Sequence, residues 1–135
     1  MIATDDSVEE LAQRTDQAAL TIRNFIENFF GCEVCRLNFV QAYDSCSHDR
    51  CHRLKPESTS LEDWAQLPVW LWESHNSVNV RLLREKYERD DMGVPTHEDE
   101  INKMWPLRKD CPRCWDINGG FNDVTIYKYL RTEYW

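Results

Sequence analysis

The chain has 135 residues, of which 41% are hydrophobic and 30% are charged. This is the composition of one globular domain that is large enough for a real core. A formal net charge of −8 argues against nucleic acid or an anionic membrane surface as a partner, since both repel an acidic protein. The apolar runs are too short to span a bilayer. The first residues have neither the basic start nor the apolar stretch of a signal peptide.

The first predicted element is a helix over about residues 8–30, with a break near Thr15. Residues 1–19 are polar and acidic, so we expect them to form a solvated lead-in to this helix rather than part of the core. The rest of the helix has one apolar face, because large apolar residues recur at i, i+3, i+4, i+7 and i+8. These residues are Ile22, Phe25, Ile26, Phe29 and Phe30.

A second helix is predicted from Glu33 to about Asp44, since Gly31 interrupts the first one and no Pro or Gly follows. Cys32 would then lie at the first turn, with Cys35 and Phe39 near the same face. Unpaired N–H groups at a helix N-terminus stabilise a thiolate and lower the pKa of a cysteine. A CxxC pair at this position suits thiol exchange, although a structural disulfide or half of a zinc site fits the spacing equally well.

The middle of the chain is predicted to alternate between loop and helix. Residues 44–60 have loop composition, and residues 61–66 form one or two helical turns. Pro68 suits the first turn of the strongest predicted helix, which covers residues 69–89. Residues 92–98, with a Gly and a Pro, form the next loop.

The C-terminal part holds a tight turn or single helical turn at Cys111–Cys114 and a chain break at Gly119-Gly120. The tail after Asn122 mixes helix and strand signals. Because strand alternation is missing before this tail, the predicted fold class is all-α, a small helical bundle.

The predicted helix over residues 69–89 carries an unusual polar stripe. Asn is a poor helix former, and two Asn and one His on or beside an inward face need hydrogen-bond partners. They either face water or loop carbonyls, or they form a stacking and hydrogen-bonding wall for a flat polar ligand. The core face of the same helix is predicted at Leu71, Val78 and Leu82. The stripe consists of Trp72, His75, Asn76 and Asn79.

Three motifs occur in a specific order: Phe-Phe-Gly-Cys-x-x-Cys from residue 29, Trp-Leu-Trp-x-x-His-Asn-x-Val-Asn-x-Arg-Leu from residue 70, and Trp-Pro-Leu-Arg-Lys-Asp-Cys-Pro-x-Cys from residue 105. Together they resemble the Erv/ALR family of FAD-dependent sulfhydryl oxidases, most closely the Erv domain of quiescin sulfhydryl oxidases. The likeness covers about residues 20–115. It implies a lead-in at 1–19, an Erv/ALR-like domain at 20–116 and a tail at 117–135.

The resemblance implies a helical bundle that binds FAD, oxidises thiols of protein substrates to disulfides and reduces O2 to hydrogen peroxide. It also implies a thioredoxin-like shuttle domain as a partner, and a location in the secretory pathway (ER or Golgi) or outside the cell. The six closely paired cysteines suit such an oxidising compartment.

Residue roles follow by position. Cys32 and Cys35 resemble the redox pair, with Cys35 against the isoalloxazine ring and Cys32 open to attack. Structural disulfides are expected for Cys111–Cys114 and, in a loop that looks like an insertion, for Cys46–Cys51. The residues expected to bind FAD are Phe39, Trp72, His75, Asn76, Val78, Asn79, Lys103 and Trp105.

The chain also departs from the family pattern. Asn38 stands where the family usually has a histidine. The family's first helix, with a Trp and a His that contact FAD, has no counterpart before Leu20, and the thioredoxin-like domains are missing. We therefore expect a fragment of a longer oxidase, with an FAD site that is incomplete on its N-terminal side.

Two alternatives remain at this point. The first is a catalytically impaired oxidase fragment, which would share the same architecture. The second is a zinc-binding interaction module, which would leave the Trp72 to Asn79 stripe unexplained. Its ligands would come from Cys32, Cys35, Cys46, His48, Cys51 and His52, or from Cys111 and Cys114.

Overall fold

The structure is a computed structural model that describes residues 5–54 and 60–134, with side chains described for 15–54, 60 and 63–134. Within these residues the protein is helical and has no strand, and one isolated bridge pairs Trp115 with Phe121. The predicted all-α class is confirmed. The helices are α1 (Asp5–Phe29), α2 (Glu33–Asp44), α3 (Arg50–Arg53), α4 (Leu61–Arg89), α5 (His97–Ile101) and α6 (Asp123–Tyr134), with 3₁₀ turns at Ser47–Asp49 and Pro112–Cys114.

The chain divides after Trp70 into two compact units. In the first unit, α1 is continuous, so the predicted break near Thr15 is wrong. Thr15 and Ala19 are buried, which also corrects the expectation that this whole segment is solvated. Both side chains are small and stand in a mostly polar stretch of sequence, so composition gave no sign that they are buried.

Helices α1 and α2 are joined by a charged contact. Nε and Nη2 of Arg23 donate to the two carboxylate oxygens of Asp44, each at 2.9 Å. Arg23 also pairs with Glu27 on its own helix. The hydrogen bond from Arg23 lowers the pKa of Asp44 below its usual value. This bidentate pairing holds the C-terminal end of α2 against the C-terminal part of α1.

The core of the first unit is built around Trp70. Its ring meets Phe39 and Tyr43 edge-on at 6.2 Å each, and its Nε1 donates to the carbonyl of Ser47 at 2.9 Å. Leu54 is buried in the same unit. Helix α2 begins and ends where predicted. The loop predicted over 44–60 contains the Ser47–Asp49 turn and α3, while its residues 55–59 lie outside the described residues.

Helix α4 differs from the prediction in its start and in its buried face. It is one helix from Leu61, so Pro68 lies inside it rather than in its first turn. The start signal is Ser60, whose Oγ accepts a hydrogen bond from the backbone N–H of Asp63 at 3.2 Å. The predicted core face is also wrong, since Val78 and Leu82 are exposed. The buried face is formed instead by Val69, Trp72, Asn76, Val80 and Leu83.

The second unit packs α6 against the Pro112–Cys114 turn, with Ile126 and Leu130 buried. Asn122 resolves the mixed signals of the tail in favour of a helix, because its Oδ1 accepts from the backbone N–H of Thr125 at 3.0 Å. In the loop before α6, the carboxylate of Asp116 accepts hydrogen bonds from the backbone N–H groups of Asn118 and Gly120, both at 2.8 Å. These caps determine where the loop ends and α6 begins.

We expect Ile126→Ala to lower the free energy of unfolding by about 2–5 kcal/mol, because it removes buried methyl groups and leaves a cavity. Ile126 is 0% exposed, whereas Val124 on the same helix is 64% exposed. Val124→Ala is therefore the matched control and should change stability by less than about 0.5 kcal/mol. Urea unfolding followed by circular dichroism measures both, and equal effects would contradict this packing of α6.

Candidate functional site

The Cys32–Cys35 pair lies at the start of α2 and forms a disulfide. Cys32 is the N-cap residue in an extended conformation, and its sulfur accepts a hydrogen bond from the backbone N–H of Cys35 at 3.2 Å. The predicted position of a CxxC at a helix N-terminus is confirmed. Both cysteines are exposed, so an external thiol can reach the disulfide.

Exposed apolar side chains flank this disulfide along the chain, in the last turns of α1 and in α2. The rings of Phe25 and Phe29 contact each other at 5.4 Å, and Phe29 is 76% exposed. A cluster of exposed apolar residues next to a reactive group is typical of a binding surface. The other exposed apolar residues in this region are Phe30, Val34 and Leu37.

Phe39 packs against Trp70 and is half-buried. Asn38 beside it is also half-buried. Phe39 therefore contributes to the core of the first unit, and its role toward a cofactor stays a prediction.

In the second unit, the polar stripe of α4 holds the backbone of Trp105. The Nδ2 group of Asn76 donates to the Trp105 carbonyl at 2.9 Å, and the Trp105 N–H donates back to Asn76 Oδ1 at 2.9 Å. Nε1 of Trp72 donates to the same carbonyl at 2.6 Å. Asn76 and Trp72 are only 5% and 7% exposed. Two buried side chains thus satisfy both backbone groups of one residue.

The other residues of α4 that were expected to contact the cofactor differ in their surroundings. Asn79 donates to the carbonyl of Lys103 at 3.2 Å, while His75 and Val78 are exposed. Three stripe residues therefore bind carbonyls of the 103–105 segment. This agrees with the interpretation in which the stripe satisfies loop carbonyls. The side chains of His75, Val78 and Lys103 remain accessible to a ligand, and their role as cofactor contacts stays a prediction.

The ring of Trp105 packs among aromatic residues of α6. It meets Tyr129 at 5.7 Å and Tyr134 at 5.5 Å, both edge-on. Removal from water raises the pKa of Tyr129 above its usual value. The backbone hydrogen bonds from α4 and the ring contacts with α6 together determine the position of Trp105.

A cavity of about 600 Å³ adjoins the stripe within the second unit. Such a volume is ample for a small-molecule ligand, and two lysines on its wall attract an anionic one. Desolvation is the main cause that raises the pKa of Tyr87, followed by its hydrogen bond to Asp99. Five of the seven lining residues were not among the predicted site residues, although Lys86 continues the stripe from Asn79 at i+7. The lining residues are Asn79, Leu82, Leu83, Lys86, Tyr87, Met92 and Lys103.

The Cys111–Cys114 disulfide has a very different environment from the pair on α2. Cys111 is 3% and Cys114 is 0% exposed. A sulfur that a thiolate cannot reach does not take part in exchange. The burial of this pair is in keeping with the expected structural role.

The zinc alternative finds no support in the described part of the chain. All six cysteines are engaged in disulfides, including Cys46–Cys51. In the ranges 5–54 and 60–134, no group of three His, Cys, Asp or Glu side chains is placed to hold a metal.

Comparison with known proteins agrees with the geometry. The model of the Erv1 / Alr family matches residues 2–106. This stretch includes all of α1, so the likeness begins earlier than the expected residue 20. Sulfhydryl oxidase 1 of Arabidopsis thaliana is 34% identical over 122 residues, which is 87% of this chain and 20% of that protein. Sulfhydryl oxidase 1 of Oryza sativa subsp. japonica is 34% identical over 84% of this chain and 20% of its own length. Sulfhydryl oxidase 1 of Homo sapiens is 27% identical over 82% of this chain and 14% of its own length.

The chain spans about a fifth of the length of its plant relatives. No solved structure was found to match it. None of the described helices combines the length and the hydropathy that a transmembrane segment requires.

We expect Asn76→Ala to lower the free energy of unfolding of the flavin-free protein by about 1–3 kcal/mol. The substitution leaves the part-buried Trp105 N–H without its acceptor, whereas the Trp105 carbonyl keeps the bond from Trp72. Asn28→Ala is the matched control, since Asn28 is an exposed helical asparagine that bonds within its own helix. If both variants unfold at the same urea concentration, the Asn76 contact does not hold the Trp105 segment.

Proposed function

The chain belongs to the Erv1/Alr family, and from this premise we propose that it is a flavin-dependent thiol oxidase that converts pairs of thiols in protein substrates into disulfides. The observation that carries the proposal is the exposed Cys32–Cys35 disulfide, with the Cys32 sulfur at the N-terminus of α2. This arrangement supplies both access for a thiol and stabilisation of the thiolate that the reaction releases.

The exchange steps follow from these contacts. A substrate thiolate attacks the Cys32 sulfur, a mixed disulfide forms, and Cys35 leaves as a thiolate. A second substrate thiol then attacks the mixed disulfide and releases Cys32. Cys32 is a good leaving group, because the Cys35 N–H donates to its sulfur at 3.2 Å. The substrate loses two electrons and becomes a disulfide, and the Cys32–Cys35 pair becomes a dithiol.

FAD is the cofactor we propose. When bound, it supplies the acceptor for the two electrons of the Cys32–Cys35 dithiol and passes them to O2, which becomes hydrogen peroxide. The residues of the second unit fit such a group. The 600 Å³ cavity has apolar walls for a ring system, and Lys86 and Lys103 provide cations for a pyrophosphate.

The residues expected to bind FAD would divide into two roles toward this cofactor. His75, Val78 and Lys103 are exposed, so they are available for direct contact. Trp72, Asn76 and Asn79 bind the backbone of residues 103–105 and would act by positioning Trp105, whose ring offers a stacking surface.

The proposed partners are thiol-containing protein substrates and a thioredoxin-like shuttle domain. The exposed apolar side chains that precede and follow the disulfide along the chain, Phe25 and Phe29 among them, suit contact with a polypeptide rather than with a small hydrophilic thiol. Three disulfides are maintained most easily in an oxidising compartment, so we propose the secretory pathway or the extracellular space as the location.

We expect Cys35→Ser to abolish oxygen consumption with dithiothreitol while bound FAD stays in place. Without Cys35 the chain has no disulfide at this position for a substrate thiolate to attack, and Cys32 alone cannot cycle between a disulfide and a dithiol. Gln41→Ser, at an exposed position further along α2, serves as the control and should keep the wild-type rate. An oxygen electrode and the flavin absorbance measure the two properties, and normal turnover by Cys35→Ser would exclude the assigned role.

We expect His75→Ala to lower the flavin content of the purified protein by at least severalfold, because a cofactor contact on α4 is lost. The apo-protein should remain as stable as wild type, since His75 is exposed and not part of the core. Ser77→Ala, exposed on the same helix, is the control. Flavin is quantified by absorbance after denaturation, and unchanged flavin content in His75→Ala would show that this side of α4 is an ordinary solvated surface.

A further inference from the structure

The Cys46–Cys51 disulfide lies just beyond the C-terminal end of α2 and closes a short loop that contains the Ser47–Asp49 turn. It stands at the opposite end of α2 from Cys32 and Cys35. At a rise of 1.5 Å per residue, α2 separates Cys35 from Cys46 by about 16 Å. Direct exchange between the two disulfides of one chain is therefore excluded in this conformation.

A guanidinium group lies beside both sulfurs of this loop. Nη2 of Arg50 is 3.5 Å from Sγ of Cys46 and 3.4 Å from Sγ of Cys51. The group is held in place by a hydrogen bond from its Nε to the Tyr43 carbonyl at 2.8 Å, and by stacking on the Tyr43 ring at 3.7 Å. A fixed cation next to sulfur stabilises a thiolate and so makes the sulfur a better leaving group.

The two sulfurs differ in access. Cys51 is exposed, whereas Cys46 is half-buried against the unit. An external thiolate therefore reaches Cys51 first. The sulfur that leaves is then that of Cys46, which stays beside Arg50.

The backbone of the loop is strained. Cys46, His48 and Asp49 have φ values of 60°, 54° and 57°, the left-handed region that residues with a Cβ rarely adopt. The disulfide closes a ring around all three. Opening the disulfide lets these residues relax, which favours reduction.

We propose that Cys46–Cys51 is a second exchange-active disulfide that oxidises external dithiols independently of Cys32 and Cys35. The first substrate thiolate forms a bond to Cys51, and Cys46 departs as a thiolate beside Arg50. The second substrate thiol then attacks the substrate sulfur that is bonded to Cys51 and releases Cys51. The substrate becomes a disulfide and Cys46 and Cys51 become a dithiol, which a further disulfide, of a small molecule or a protein, oxidises again.

The test is a time course on the full oxidised chain with limiting dithiothreitol in the absence of oxygen. Free thiols are alkylated and assigned to each cysteine by mass spectrometry. We expect Cys46 and Cys51 to become alkylated at least tenfold faster than the buried pair Cys111 and Cys114. Equal rates for these two pairs would overturn the proposal, because Cys46–Cys51 would then be a purely structural crosslink.

Site selectivity and the role of Arg50 are tested separately. With glutathione as the probe, the mixed disulfide should form on Cys51, and its formation on Cys46 would contradict the proposed direction of attack.

Arg50→Gln should slow reduction of the pair at least tenfold, and Arg50→Lys should restore part of the rate. The matched control Arg53→Gln removes the same charge from a residue that donates to Gln66 and to the His48 carbonyl. Equal effects of Arg50→Gln and Arg53→Gln on the rate of reduction would refute a specific role of Arg50. The glutathione experiment uses the wild-type chain, so it does not depend on whether either variant folds.

Discussion

The paired hydrogen bonds between Asn76 and the backbone of Trp105 are the constraint on which the second unit depends. A backbone N–H and carbonyl that are partly removed from water both need partners, and a single side-chain amide provides one donor and one acceptor at 2.9 Å each. Trp72 adds a second donor to the same carbonyl. This explains why an asparagine, a poor helix former, is used in the middle of α4.

The position of Trp105 has consequences on both sides of it. Toward α6, its ring contacts Tyr129 and Tyr134. Toward the start of the segment, the carbonyl of Lys103 is held by Asn79, and Lys103 in turn lines the cavity next to α4. The stripe thus acts chiefly through the segment that it holds. A cofactor that binds here would meet a surface organised in advance by these hydrogen bonds, which lowers the cost of ordering on binding.

The three disulfides share a close spacing of their cysteines but differ in surroundings, and the surroundings decide their chemistry. Cys111–Cys114 is buried, so thiols cannot reach it. Cys32–Cys35 is exposed at a helix N-terminus, where a backbone N–H contacts the Cys32 sulfur. Cys46–Cys51 has one exposed sulfur and a guanidinium beside both. Accessibility and nearby positive charge, rather than the number of residues between the cysteines, separate a crosslink from an exchange site.

The amino-acid sequence by itself determined the all-α class, the bounds of α2 and the N-terminal position of the CxxC, because these depend on local signals such as Gly31 and the apolar spacing before it. The three ordered motifs also determined the family. Only the tertiary structure decided that α4 buries Trp72, Asn76 and Val80 instead of Val78 and Leu82, since several faces of that helix carry apolar residues and its neighbours select one. Likewise, the contact of Arg50 with two sulfurs depends on Tyr43, seven residues away, which fixes the guanidinium by stacking and by a backbone hydrogen bond. Such a contact has no periodic pattern along the chain, so it becomes visible only when the helices are packed.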